Sequence, residues 1–423
     1  GGKGAESLLA GGGGDDFIFG GAFSDQLFGG SGDDMLFGGT GNDEAEGGAG
    51  DDVFFVGSGT NEFTGGADNS GDIAVLDNSR GDYDFTIEGQ ARFIGLDDVV
   101  VSGASGDSVK LTDVEKVNFG GAMVSGDLSG GETIDITGEF RIFESDAVNL
   151  VNTYGSFQDA LDNIQSGQVL AISDQQVVSG DFSIASGDIT LLGSGTSDAA
   201  TFQDTLTIDA DNVTVRGLEF AVNTADDTSI EVSGDGSVIT GNTFAASGDS
   251  VAVEITAVDA GVEITENIIV GGLTGVSIAT DYAGGASDGI DIRDNTVSDT
   301  TGEAIFIDGL SGSASMDIRD NRFNNNEIGI ELSGGGAYSD SGDITIKDNR
   351  FVVASGDTGV FADTPIPAAY DSSLGESLLV NSYNTTGSGV GVDISQADAS
   401  ANQIVLTSGD GYSNSTSGDD VIR

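Results

Sequence analysis

The sequence predicts an all-β chain in three parts: an N-terminal parallel β-roll, a small β segment, and a right-handed parallel β-helix. Two repeats and one alternation predict it. From Gly11 to Phe55 five nonapeptides follow one another without a gap, each with glycines, an aspartate and an apolar residue at fixed places. From residue 213 an octet recurs with starting points 24, 25, 28, 26 and 28 residues apart. Between the repeats, DIAVL, DYDFTIE and VEKVNFGGAMV alternate apolar and polar residues, the period of half-buried strands.

Composition frames the problem these repeats must solve. The chain carries 71 Asp and Glu against 13 Lys and Arg, a net charge of −58. Such self-repulsion ordinarily keeps a chain unfolded, yet 37% of the residues are hydrophobic, enough for a packed core. Something must neutralise the acid, and divalent cations are the natural candidates. Nucleic acid and anionic lipid are excluded as partners, because both are polyanions. Cys is absent, so no disulfide staples the fold. No run is apolar enough to span a bilayer, and no signal-peptide pattern is read. The opening Gly1-Gly2-Lys3 is expected of a piece of a longer polypeptide.

The nonapeptides read GGGGDDFIF (11–19), GGAFSDQLF (20–28), GGSGDDMLF (29–37), GGTGNDEAE (38–46) and GGAGDDVFF (47–55). The eighth place is Ile18, Leu27, Leu36, Ala45 and Phe54, and it begins a short inward-facing strand. Glycines permit a tight turn at positive φ, and the sixth-place Asp points a carboxylate into it. Stacked turns then offer carboxylates and backbone carbonyls to a shared hard cation, which suits Ca²⁺. The predicted side-chain ligands are Asp16, Asp25, Asp34, Asp43 and Asp52. The carbonyl ligands fall to glycine places, namely Gly12, Gly14, Gly30, Gly32, Gly39, Gly41, Gly48 and Gly50. Successive turns lie on opposite edges, so Asp16, Asp34 and Asp52 form one column and Asp25 and Asp43 the other. Phe23 replaces the fourth-place glycine, which weakens the second turn.

This block resembles the RTX (hemolysin-type) family of type I secreted, calcium-binding proteins. The resemblance implies several bound Ca²⁺, folding outside the cell when calcium is met, and an extracellular, cell-surface location. The middle segment resembles the small β segment that often follows such a block, and is expected to cover the open end of the roll. Arg80-Gly81-Asp82 spells an integrin-binding tripeptide, read here as a coincidence of composition.

Residues 153–172 read as an amphipathic helix, with Phe157, Leu161 and Ile164 on one face, followed by a strand. The octets then run VTVRGLEF (213–220), SVITGNTF (237–244), VEITENII (262–269), IDIRDNTV (290–297), MDIRDNRF (316–323) and ITIKDNRF (344–351), with ITLLGSGT (189–196) before and LLVNSYNT (378–385) after. Their sixth place is Leu218, Asn242, Asn267, Asn295, Asn321 and Asn349. It is expected to stack as an asparagine ladder in a left-handed corner. The eighth place should fill the interior. Helix and octets resemble the pectate-lyase-like parallel β-helix superfamily, with the helix capping its N-terminal end. That resemblance speaks for fold rather than activity.

A polysaccharide lyase or epimerase on this fold would need a base beside the sugar acid. The chain has no His, and the Asp-Pro-His-Glu signature of alginate epimerases is absent. Arg293, Arg319 and Lys347 at the fourth octet place, and Arg322 and Arg350 at the seventh, either line a groove for an acidic glycan or form a charge ladder beside Asp294, Asp320 and Asp348. Because they repeat with the fold, the ladder is favoured. Ser-Gly-Asp, present twelve times, is expected in turns between strands.

The expected domains are residues 1–71 as the calcium-binding roll, 72–149 as a connector, 150–408 as the β-helix, and 409–423 as the start of a further roll with Asp420 as a metal ligand. The last residues, GDDVIR, run in register into GGKGAESLL at residues 1–9. This predicts one unit of a giant tandem-repeat protein: a filament, surface-layer or adhesin module whose partners are copies of itself and, in a second reading, surface polysaccharide. The remaining alternative is a calcium-dependent lyase, epimerase or glycan-binding β-helix. A native polypeptide much heavier than 42.5 kDa by intact mass is expected, and a native mass near that value would refute the array.

Overall fold

The computed structural model describes residues 6–66, 71–76, 83–86, 99–103, 107–119, 122–124, 127–129, 132–135, 139–145, 150–197, 199–222, 227–256, 261–278, 289–308, 316–333, 344–362, 382–385 and 390–393. They fall into two units, residues 1–174 and 175–423. The sequence boundary at 150 lies instead before the helix.

In the first unit, the apolar end of each nonapeptide and the glycines opening the next form one strand. These are β1 (Leu8–Gly13), β2 (Phe17–Ala22), β3 (Gln26–Ser31), β4 (Met35–Thr40), β5 (Glu44–Ala49), β6 (Val53–Phe55), β7 (Thr60–Thr64) and β8 (Ile73–Leu76). Odd strands stack in parallel as one sheet and even strands as the other. Leu9, Leu27, Ala45 and Phe63 are in register across the first, and Ile18, Leu36, Phe54 and Ala74 across the second. From Ile18 and Leu27 onward these eighth-place residues are buried between the sheets. Outward, Phe19, Phe37 and Phe55 stack with ring centroids 4.5 Å apart.

The roll continues past the five matching nonapeptides. Residues 56–64 form a sixth turn with Asn61 in the aspartate place, and a seventh, lengthened by two residues, brings in Asp72. The middle segment was expected to cover the end of the roll, and it does so by extending both sheets. With β9 (Tyr83–Thr86), β10 (Val99–Gly103), β11 (Ser108–Thr112) and β12 (Lys116–Phe119), β11 joins β7 and β12 joins β8 in parallel. The pairing then reverses: β10 runs antiparallel to β11 and β9, and residues Glu132–Asp135 run antiparallel to β12. This changes the geometry at both sheet edges.

Helix α1 (Phe157–Asn163) is capped by Ser156, whose hydroxyl accepts from the Asp159 amide. Phe157, Ala160 and Ile164 are buried and Leu161 is half-buried, and the Phe157 ring lies 5.8 Å from that of Phe140 on the strand Phe140–Phe143. On that strand Arg141 is 2% exposed, and burial lowers its pKa to about 10.

The second unit is a solenoid of three parallel sheets. One holds the first half of each octet, from Thr190–Leu192 to Ile344–Lys347. The second holds the octet ends, and the third the strands after them, such as Val251–Ile255 and Glu303–Asp308. Phe220, Phe244, Ile269, Val297, Phe323 and Phe351 fill the interior as expected. Phe202, Phe220 and Phe244 stack with centroids 5.2 and 4.9 Å apart. Two registers differ from the sequence spacing. Phe202 rather than Thr196 pairs with Phe220, because a loop intervenes after Leu192. Tyr383 rather than Thr385 pairs with Phe351, placing the last octet two residues earlier.

The asparagine ladder forms, with Asn242, Asn267, Asn295, Asn321 and Asn349 all at most 2% exposed. The left-handed corner belongs instead to the preceding residue: Gly217, Gly241, Glu266, Asp294, Asp320 and Asp348 have φ between 56° and 70°. The asparagines serve as hydrogen-bonding links. Asn295 Oδ1 accepts from the Asn267 amide at 2.9 Å and from Asn267 Nδ2 at 3.0 Å, while Asn295 Nδ2 donates to Ile264 O at 2.7 Å and to Asn321 Oδ1 at 3.0 Å. Replacing Asn295 by alanine strands buried partners on two neighbouring coils. It is expected to cost about 1–3 kcal/mol, read as a lower urea midpoint; an unchanged midpoint would count against the ladder as a stabilising element.

Candidate metal centre

The turn glycines hold the backbone shape the roll needs. Gly12, Gly14, Gly30, Gly32, Gly39, Gly41, Gly48 and Gly50 all have φ between 91° and 138°. Phe23 takes a φ of 79° in the fourth place of its turn, the conformation an L side chain rarely adopts. The second turn is therefore strained where the others are not.

The carboxylates of Asp25, Asp34, Asp43 and Asp52 each have one oxygen engaged by backbone. Asp25 Oδ1 accepts the Ser7 amide at 2.7 Å, Asp34 Oδ1 the Asp16 amide at 2.7 Å, and Asp43 Oδ1 the Asp25 amide at 2.9 Å. Asp52 Oδ1 accepts the Asp34 amide at 2.7 Å. These bonds link residues 18 apart, so the structure brings Asp16, Asp34 and Asp52 onto one edge and Asp25 and Asp43 onto the other. The second oxygen is different. Oδ2 of Asp16, Asp25, Asp34 and Asp43 is buried with no hydrogen-bond partner, and Asp25, Asp34 and Asp43 are at most 2% exposed. Burial raises the carboxyls of Asp34 and Asp43 above the ordinary aspartate range, against the amide bond each accepts. Neighbouring acids add to it: Asp16, Asp15 and Asp33 around Asp34, and Asp25 beside Asp43.

These oxygens face a cradle that only glycine leaves open. A Cβ on Gly20 would lie 2.9 Å from Asp25 Oδ2 and 2.7 Å from Gly38 O; one on Gly38 would lie 2.7 Å from Asp43 Oδ2 and 3.0 Å from Val56 O. Gly29 has the same relation to Asp34 Oδ2 and Gly47 O. Each cradle thus combines a carboxylate oxygen without a donor and a main-chain carbonyl of the turn stacked on it. Among the described residues no group of three or more acidic, His or Cys side chains gathers to hold a metal. The donors are oxygens supplied largely by backbone, the set that suits Ca²⁺ rather than zinc or a softer metal. The residues present fit calcium, which would supply the positive charge the buried oxygens lack.

Sequence reasoning missed the first-place residue of the nonapeptide. Its carbonyl (Gly38, Gly47, Val56) borders the cradle beside the aspartate, and glycine at that place in every matching repeat was the available signal. It also missed Asp72, whose Oδ1 accepts the Asp52 amide at 2.7 Å, because the two-residue insertion breaks the period. The Asp72 amide donates in turn to Glu115 of the middle segment at 2.7 Å. Asp420, residues 1–5, residues 409–423 and Arg80-Gly81-Asp82 lie outside the described residues.

Two members of the basic column of the solenoid, Arg293 and Arg319, are ion-paired. Arg293 Nε meets Asp291 at 2.7 Å and its Nη2 meets Glu263 at 3.0 Å; Arg319 Nε meets Asp317 at 2.7 Å. The acids expected beside them play a smaller part, since among the described residues only Asp320, 3.6 Å from Arg319, is within reach. Asp294, Asp320 and Asp348 turn the corner at positive φ, whereas the acids two places before each arginine lie on the same strand face. Side-chain bonds to these carboxylates hold the Arg293 and Arg319 pKa values above the usual arginine range.

Residues 10–45 and 37–70 match the model of the RTX calcium-binding nonapeptide repeat, and residues 205–357 match that of the right-handed β-helix region. The chain therefore carries a calcium-binding RTX roll followed by a right-handed parallel β-helix. No curated protein matches it. The solved structure of an extracellular lipase, LipA from Serratia marcescens, aligns over 62% of this chain at 18% identity with a TM-score of 0.23. The alignment covers 33% of that lipase, so this chain spans about a third of its length.

Asp34→Asn and Gly29→Ala attack one cradle from its two sides. Each is expected to weaken calcium-induced folding, with the midpoint of a calcium titration followed by circular dichroism rising roughly 10–100-fold. Asp33→Asn, an exposed neighbour, should move it far less. Equal effects at Asp33 and Asp34 would contradict the assignment.

Proposed function

We propose that this chain is an extracellular, calcium-dependent structural or adhesive module, one unit of a larger surface assembly built from copies of itself. The observation that carries this reading is the row of buried aspartates whose Oδ2 atoms have no hydrogen-bond donor. A roll of this kind is held together by cations, so it is unfolded where calcium is scarce and stiff where calcium is plentiful. That behaviour suits export through a secretion channel followed by folding outside the cell.

The solenoid supports the same reading. Its coils stack with each contacting its neighbours, an arrangement that extends by repetition. Its conspicuous basic residues repeat with the coils, and Arg293 and Arg319 are held by carboxylates, which is what a surface charge ladder requires. A catalytic arginine would stand alone in a groove with its pKa pulled down to act as a base.

Full-length chain incubated with alginate or pectate in millimolar calcium is expected to generate no ultraviolet-absorbing unsaturated sugars. By electron microscopy it should form filaments or lattices that disperse in chelator. Turnover of either polymer would replace this reading with an enzymatic one. Co-sedimentation with the polymer without cleavage would replace self-assembly with glycan binding.

A further inference from the structure

We propose that the sixth turn of the roll, residues 56–64, holds no calcium, so that the two edges of the roll load unequally. The inference rests on the reading of the neighbouring cradles as calcium sites and concerns the one described turn that departs from them twice. In the other described turns the first place is glycine: Gly11, Gly20, Gly29, Gly38, Gly47 and Gly65. At each, an added Cβ would press on the Oδ2 of the same turn's aspartate. In the sixth turn that place is Val56, 3% exposed. A side chain at this place carries a Cβ where the other turns have none to press on the sixth-place group.

The second departure is electrical. Asn61 takes the aspartate place at 2% exposure, and its Oδ1 accepts the Asp43 amide at 2.9 Å, as Asp43 does from Asp25 two turns earlier. That bond fixes the orientation of the amide. Nδ2 then stands where the other turns present Oδ2, and it too is buried without a hydrogen-bond partner. A cation at this point would meet two N–H groups instead of a carboxylate oxygen. An apolar side chain and a donor together convert an oxygen cradle into a plug. Phe63 and Phe54 pack behind it, with ring centroids 5.0 Å apart.

The surroundings follow the same division. Along the edge of Asp16, Asp34 and Asp52, the fifth-place residues are Asp15, Asp33 and Asp51, and the row of carboxylates continues to Asp72. Along the edge of Asp25, Asp43 and Asn61, the fifth-place residues are Ser24, Asn42 and Thr60, which hydrogen-bond along the stack without charge. The weakly charged edge is the one that ends at β7, where β11 of the middle segment joins the sheet. That seam is thereby closed by packing and amide bonds and needs no ion.

The test restores the missing pair in the full chain as V56G/N61D and counts calcium by native mass spectrometry. The folded double variant is expected to hold one ion more than the unaltered chain, and an equal count would overturn the proposal. A second measurement reads the unaltered protein directly: anomalous diffraction from crystals grown in calcium should place peaks beside Asp25 and Asp43 and none beside Asn61. A peak at Asn61 would overturn the proposal alone. Absence of peaks at all the turns would overturn the calcium reading of the roll itself.

Discussion

A buried carboxylate that has used only one of its oxygens is the constraint on which the roll depends. An ionised aspartate only accepts hydrogen bonds, and the backbone offers each one a single amide, that of the residue 18 places earlier. The second oxygen of Asp25, Asp34 and Asp43 is left facing a glycine and a carbonyl, which cannot donate to it. Leaving such a group buried and charged is costly. Protonation or a cation must resolve it, and burial raises the carboxyls of Asp34 and Asp43 for the same reason. A shared divalent ion resolves it for carboxylate and carbonyl together, and it also offsets part of a net charge of −58.

The β-helix meets the same geometric demand with a different side chain. It too must satisfy a polar group at a corner repeated every coil. Asparagine offers a donor and an acceptor, so each amide accepts from one neighbour and donates to the next along the row. Aspartate in the roll lacks the donor, and its second oxygen is left without a hydrogen-bond partner. One chain thus contains two stacks of corner residues, one hydrogen-bonded along its own length and one for which calcium is the proposed complement. The difference lies between a terminal NH₂ and a terminal oxygen, and Asn61 brings the first kind into the territory of the second.

Much of this was legible in the sequence because both repeats are periodic. The nonapeptide gave the alternation of edges and the inward residues from Ile18 to Phe54, and the octet gave the buried asparagines and interior aromatics. What escaped was aperiodic or depended on a third dimension. A two-residue insertion hides Asp72, and the last octet is displaced by two residues because the sequence spacing to it is longer than the rest. The left-handed corner was assigned to asparagine on propensity, whereas the preceding Gly, Glu or Asp adopts it and leaves the amide free to reach along the stack. Likewise, the partners of Arg293 and Arg319 were sought next door in sequence. Strand pleating places Asp291 and Asp317 on their face instead.

Because the two stacks differ in what completes them, chelation should separate them within one molecule. Hydrogen–deuterium exchange resolved by peptide, with and without EGTA, measures this directly. The account predicts that amides of residues 10–66 lose their protection in chelator while those of residues 205–357 keep theirs. Undiminished protection of residues 10–66 in exhaustively calcium-free buffer would contradict it.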